Sequence, residues 1–208
     1  MPGRIYEATW GRMFAFGYDY FLKATEDAGL RDMRREMLAE ASGRTLELGA
    51  GTGANVELYP EAVTELVLTE PDRFMAEKLR AKHPDREVVE APAERLPFED
   101  ESFDTAVLTL VLCTVPDPQA ALAEIARVLK PGGRFLFIEH VRADDERLAR
   151  WQDRLHRPWY LFGDGCHCNR DTLATIESSP LAVERAEKGE LPKAVPLVRP
   201  LLRGAARV

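Results

Sequence analysis

Thr45-Leu46-Glu47-Leu48-Gly49-Ala50-Gly51-Thr52-Gly53 is a short apolar run that breaks into a glycine-rich turn. Small residues behind a strand let the backbone approach a ligand and leave amide N–H groups free to bind it. In a doubly wound sheet this edge, outside the strand C-termini, is where ligands sit. Glu70 closes the next apolar run. It lies about 20 residues on, where a carboxylate can accept both hydroxyl protons of a ribose. Read as Gly49-x-Gly51-x-x-Ala54, the same residues also satisfy the dinucleotide fingerprint. By itself the loop leaves nicotinamide and adenosyl-sulfonium ligands both open.

Outward from the loop, apolar strand-like runs cover Arg44 to Gly49, Glu65 to Glu70, Arg86 to Ala91, Phe103 to Val111 and Arg134 to Val141. Between them, helical patterns cover Ala54 to Tyr59, Asp72 to His83 and Pro118 to Leu129. Alternation of this kind predicts a parallel, doubly wound α/β sheet. Residues 1–42 read as helical, with Phe14, Tyr18, Phe21, Leu22, Leu30, Met33, Met37 and Leu38 on the apolar face. After Val141 come a charged helix over Ala143 to His156 and a loop, Gly163 to Cys168. Asn169 or Asp171 can cap the helix that follows, and two weak strand-like pieces are broken by Pro192, Pro196 and Pro200. The chain reads as one domain, 1–208: a helical lid (1–42), a cofactor-binding core (43–141), and substrate-side helices with the last strands (142–208).

The bulk composition narrows the function. A net charge of −7 argues against nucleic-acid binding, which needs a basic surface. Three cysteines, Cys113, Cys166 and Cys168, make no disulfide framework and point to a reducing, cytoplasmic setting. Met1 to Tyr20 lacks an apolar signal region, and the longest apolar stretch, Thr105 to Val115, is far short of the ~20 residues that cross a bilayer. Leu191 to Val208 carries Lys193, Arg199, Arg203 and Arg207 and no acid. It is expected to be a solvated edge strand, with a weak membrane-surface contact as the sharper reading.

Two further stretches decide between the cofactors. Ala93-Glu94-Arg95-Leu96-Pro97-Phe98-Glu99-Asp100-Glu101-Ser102-Phe103-Asp104 and Ala123-Glu124-Ile125-Ala126-Arg127-Val128-Leu129-Lys130-Pro131-Gly132-Gly133 join Glu47 to Gly53 and Glu70-Pro71 in one order. Together they resemble the ubiquinone/menaquinone-type class I S-adenosylmethionine-dependent methyltransferases. A nicotinamide enzyme has no reason to carry them. Leu108 to Val115, Ile138 to Val141, and Asp164-Gly165-Cys166 with Arg170-Asp171-Thr172 are similar, more narrowly, to the mammalian membrane-associated thiol S-methyltransferases. So are Thr52 to Asn55, Tyr59-Pro60, Trp151-Gln152 and Pro158-Trp159. The chain departs from them in showing no N-terminal membrane anchor, in Glu70 where Asp is common, and in Cys168. Bacterial relatives of this shape include phospholipid and quinone methyltransferases.

The resemblance implies a seven-stranded sheet of order 3-2-1-4-5-7-6 with strand 7 antiparallel. It implies S-adenosylmethionine as methyl donor and S-adenosylhomocysteine as product. Glu47, Gly49, Ala50, Gly51 and Gly53 would line the methionine and ribose, and Asn55 would reach the cofactor from the helix start. Glu70 would hold the ribose, with Pro71, Ala93 and Glu94 around the adenine and Thr109 and Leu110 by the sulfonium. The acceptor implied is a small molecule, a thiol first, with a phospholipid amine or a quinol as the alternative.

His140 ends the fifth strand on the cofactor edge and is the best candidate base, since histidine as a residue type exchanges a proton near neutral pH. Asp19 and Tyr18, in the helical lid, are further candidates, as are Cys113, Trp151 and Cys166 on the substrate side. Cys166-His167-Cys168 with His140 offers soft metal ligands, but the usual two-residue gap between cysteines is missing, and no metal is expected. The motifs around an arsenite-binding cysteine set are likewise not evident. Cys113 is read as buried, and the loop around Cys166 as closing over the substrate pocket.

Overall fold

The computed structural model describes residues 17, 20 and 22–208. Seven strands form one sheet of order β3-β2-β1-β4-β5-β7-β6. They are β1 (Gly43–Leu48), β2 (Val63–Thr69), β3 (Glu87–Val89), β4 (Phe103–Thr109), β5 (Leu129–His140), β6 (Ala182–Glu190) and β7 (Pro200–Arg207). The first five run parallel, and β7 is antiparallel to both β5 and β6. The helices are α1 (Arg31–Leu38), α2 (Arg73–Lys82), α3 (Pro118–Val128), α4 (Glu146–Phe162) and α5 (Thr172–Glu177). The core is continuous through the sheet: Leu46, Leu108, Phe135 and Phe137 are fully buried, as a strand covered on both faces requires.

Helix starts follow local chemistry. Asp72 caps α2 by accepting from the amides of Phe74 and Met75, and Asp117 caps α3 through Gln119 and Ala120. Of the two residues that can cap α5, Asp171 does so, through Ala174. Each cap satisfies amides that the helix leaves open at its first turn.

Several expected elements change on folding. Ala54 to Tyr59 is not a full helix: a single 3-10 turn, Val56–Leu58, follows a run of turns. Asn55 and Tyr59 both turn inward to Glu47, and Pro60 stops the chain there. The fifth strand starts at Leu129 rather than Arg134, because Phe103 pairs with Leu129 and Thr105 with Arg134, so the residues between bulge out. The helix expected to end at His156 continues through Pro158 to Phe162. Pro158 and Arg154, whose carbonyl loses its helical partner, both lie on the exposed face of the helix. Within the described part of the first 42 residues, a π-helical turn, Glu26–Leu30, is kinked at Gly29 (φ 140°) before α1 begins.

The C-terminal piece differs most. The solvated edge is β6, whose residues are almost all exposed, while β7 is inserted between β5 and β6 with Leu201, Leu202, Ala205 and Ala206 buried. Its arginines are paired: Arg203 with Glu36 and Glu187, and Arg207 with Glu184. Those cations are therefore already answered by acids that lie far off in sequence. Among the described residues, no helix is long and apolar enough to cross a membrane.

Candidate active site

The parallel strands deliver their C-terminal ends to one edge of the sheet. Glu70 follows β2, Ala93 and Glu94 follow β3, Thr109 ends β4, and His140 ends β5. The glycine loop after β1 lies in their midst. Gly49 has φ 61°, and a Cβ there would stand 2.6 Å from a methyl of Val111, so the β4 loop closes onto a backbone only glycine supplies.

Glu70 is buried and receives the Gly51 amide on Oε2 at 2.8 Å and the Asp72 amide on Oε1 at 2.9 Å. Burial pushes its carboxyl up to about 7, against the lowering effect of those two amides. Each oxygen keeps a lone pair, which is what two ribose hydroxyls need. This donor and acceptor set, at the mouth of a glycine loop, fits an adenosyl ligand. Pro71 beside it is exposed, Ala93 is buried, and Glu94 accepts from the Asp117 amide at 3.3 Å.

Beneath the loop lies a buried polar network. Asn55 donates to Glu47 Oε1 at 2.9 Å and to Thr109 Oγ1 at 3.1 Å, and accepts from Arg34 Nη1 at 3.1 Å. Tyr59 donates to Glu47 Oε2 at 2.8 Å. Burial drives the Glu47 carboxyl up to about 7 and the Tyr59 hydroxyl well above its usual range. Arg34 escaped the sequence reading, although one signal was available: it shares a helix face with Leu30, Met37 and Leu38, all buried.

Between the ends of β4 and β5 stands Glu139, which the sequence reading did not single out. Its fully buried carboxylate accepts from the amides of Val111 (2.7 Å), Leu112 (2.9 Å) and Cys113 (3.2 Å). Burial lifts its carboxyl to about 7 despite these bonds. Leu110, just before, has φ 59°, a left-handed conformation rare for a bulky residue, and its amide is held by the Ile138 carbonyl at 2.7 Å. Arg170 donates to the carbonyls of Leu112 and Val115, and the His167 amide to that of Cys113. The loop after β4 is thus held from three directions.

That loop places Cys113 beside two residues distant in sequence. His140 Nδ1 is 3.8 Å from Cys113 Sγ and 3.8 Å from Cys166 Sγ. Cys113 and Cys166 are buried, while Nε2 of His140 is enclosed with no hydrogen-bond partner among the described residues. Contact with the Cys113 thiol, then with His140, draws the Cys166 thiol below its usual range against the effect of burial, and Cys113 is pushed up. The four soft ligands weighed in the sequence, Cys166, His167, Cys168 and His140, do not come together as one group. His167 pairs instead with His156 at 2.6 Å, and Cys168, though buried in the same cluster as Cys113 and Cys166, is not among the converging ligand atoms. The His167 ring is taken up by His156, so the contiguous Cys-His-Cys does not converge on one point.

Other candidates are dispersed. Trp151 lies 54% exposed on α4, in a shallow surface groove with Arg147, Arg150 and Arg154. Its neighbour Gln152 is fully buried: it accepts from the Ala143 amide and donates to the carbonyls of Val141, Cys168 and Leu197. Tyr18 and Asp19 lie outside the described residues.

Comparison with known proteins agrees with this geometry. Residues 46–137 match the methyltransferase domain family. The chain is 36% identical over 151 residues to the thiol S-methyltransferase TMT1B of Rattus norvegicus, covering 68% of this chain and 61% of that one, so it spans about three fifths of that relative's length. It is 33% identical over 193 residues to TMT1B of Homo sapiens, covering 85% of this chain and 79% of the human protein. A phosphatidylethanolamine N-methyltransferase of Cereibacter sphaeroides is 33% identical over 120 residues, covering 55% of this chain and 59% of that one. Among solved structures, an S-adenosylmethionine dependent methyltransferase of Mesorhizobium loti superposes with a TM-score of 0.67 at 23% identity, covering 88% of this chain and all of that one. With its strand order, its glycine loop and the acid after β2, the chain belongs to the class I S-adenosylmethionine-dependent methyltransferases.

Proposed function

We propose that the protein transfers the methyl group of S-adenosylmethionine to the sulfur of a small-molecule thiol. The observation that carries this is the reach of the similarity. It covers 85% of the chain for the human thiol S-methyltransferase but 55% for the phosphatidylethanolamine enzyme. Acceptor choice resides in segments beyond the shared cofactor half, and the longer match runs well past residues 46–137.

Gly49 to Gly53 and Glu70 would hold the cofactor, which would supply a sulfonium methyl for in-line displacement by a thiolate sulfur, one C–S bond forming as the other breaks. The chain has to align the acceptor, keep water out and accept a proton. Alignment alone can contribute ~7–11 kcal/mol to the barrier reduction. Ionising an ordinary thiol at pH 7 costs only ~2 kcal/mol, so a modest base suffices. His140 fills that role in this reading: its enclosed Nε2 is free to accept, while Nδ1 is turned to the two sulfurs.

The test is turnover with alkyl thiols, phosphatidylethanolamine and demethylated quinols. Methylated thiol is the expected product. Methylation of the amine or the quinol with thiols inert would replace this reading. For the base, His140→Ala should lower kcat most at pH 6–7 and least at pH 9, where the acceptor ionises unaided. Wild-type kcat across that range would remove His140 from the role.

A further inference from the structure

Cys113, His140 and Cys166 each offer one ligand atom, and these atoms lie within 4.8 Å of one another. We propose that these three side chains form a binding site for a soft divalent metal ion, zinc above all, with its fourth position open to the sulfur of the acceptor thiol. The role of that fourth position rests on the thiol reading; the three-ligand site does not.

The spacing is the first argument. Ligands about 2.0–2.3 Å from a tetrahedral zinc stand roughly 3.5–3.8 Å apart. Nδ1 is 3.8 Å from each sulfur, near that spacing, and the two sulfurs lie within 4.8 Å of each other, so an ion at the centre would draw the three atoms inward by no more than about 1 Å. A disulfide between the two cysteines would make no use of a nitrogen equidistant from both.

The second argument is rigidity before any ion arrives. Cys113 sits in the loop pinned by Glu139 and Arg170. His140 is the last residue of β5. Cys166 follows Asp164 and Gly165, both at positive φ (49° and 85°), and its amide is bonded to the Gly163 carbonyl at 3.1 Å. Three separate elements thus converge on one point.

The third argument is chemistry. Two sulfurs and an imidazole select zinc-like ions over calcium or magnesium. Three protein ligands, with one position left open, are the arrangement of reactive rather than structural zinc sites. With an ion on Nδ1, the ring proton of His140 sits on Nε2 and the ion takes over the base role: a thiol that enters the open position loses its proton to solvent and binds as the thiolate. The metal's oxidation state does not change.

The test uses the full chain, reduced, stripped with a chelator and titrated with Co(II). Expected are 1:1 binding, thiolate-to-cobalt charge-transfer bands, the visible spectrum of a tetrahedral ion, and displacement by zinc. Cys113→Ser and Cys166→Ser should each lose those bands and weaken zinc by more than ~100-fold, beyond what loss of a supporting residue costs. Cys168→Ala should keep them. Circular dichroism of each variant separates ligand loss from unfolding, and an alkyl thiol should shift the wild-type cobalt spectrum. The site is overturned if folded, reduced wild-type protein shows no thiolate–cobalt band, or if the bands survive in both serine variants. Thiol methylation without a cobalt band would sink the metal site and leave the thiol reading standing. A cobalt band with no thiol methylation would do the reverse.

Discussion

Glu70 shows how one side chain couples the fold to the cofactor. It is both the clamp on the glycine loop and a buried carboxylate raised to about 7. Only its ionised form accepts from two hydroxyls while holding both amides. Affinity for S-adenosylhomocysteine should therefore tighten as pH rises from 6 towards 8 and then level off. Glu70→Gln should weaken binding ~10–100-fold, as loss of charge-assisted hydrogen bonds does, and flatten that profile. Calorimetry across the pH range checks both. Glu47 makes the converse case. Its carboxyl, also raised to about 7, holds a proton in the folded state that the unfolded chain releases above about 4.5. Between those values the native state binds more protons, so this group's contribution to stability falls as pH rises. Glu47→Gln can still accept from Asn55 and can donate to the Tyr59 oxygen. Relative to wild type it should gain urea resistance at pH 8 over pH 5, by up to ~3 kcal/mol.

At the scale of elements, two residues hold the C-terminal third in place. A Cβ on Gly204 would stand 2.1 Å from the Arg185 carbonyl and 2.7 Å from the Phe137 ring, so β6 lies on β7 only because that position is glycine. Gly204→Ala should cost about 1–3 kcal/mol through forced displacement of β6, read as a lowered melting temperature. Gln152 ties α4 to the end of β5, to the Cys168 loop and to the 3-10 turn Pro196–Val198. Gln152→Ala would strand one amide and three carbonyls, and at ~1–3 kcal/mol for each group left unpaired the loss should exceed ~2 kcal/mol in chemical denaturation. Neither role shows in the sequence. Gly204 reads as one more small residue, and Gln152 as a polar position on a charged helix. Their meaning depends on a carbonyl 19 residues away, Arg185, and on carbonyls from three other segments.

For the whole molecule, the proposed cofactor contacts lie at the ends of several strands, so the ligand should bind the folded chain alone. At a hundred times its Kd, S-adenosylhomocysteine should add about 2.7 kcal/mol to stability. For a chain of this size that is roughly 5–10 °C in Tm. An unmoved Tm under saturation would contradict the placement of the cofactor edge. The parallel half of the sheet was legible because each strand is a run of apolar residues and each turn carries its own signal: glycines after β1, an acid after β2, and Pro131-Gly132-Gly133 at the start of β5. Local chemistry suffices there. It does not suffice for β6, which is exposed almost throughout, nor for β7, which is buried by neighbours it meets only across the sheet.

The sequence by itself determined the α/β alternation, the strand edge that carries the glycine loop, and the identity of the cofactor, since these are carried by short contiguous motifs whose spacing survives any folding detail. Tertiary structure alone decided which cysteines meet. Cys113, His140 and Cys166 lie on three elements up to 53 residues apart, yet they converge because Glu139 and Arg170 hold the β4 loop against the end of β5. Contiguous Cys166, His167 and Cys168 do not form such a group, because the His167 ring is taken up by His156 and the Cys168 sulfur, though in the same buried cluster, is not among the converging ligand atoms. The glycine loop marks the proposed seat of the methyl donor; the folded chain brings Cys113, His140 and Cys166 together.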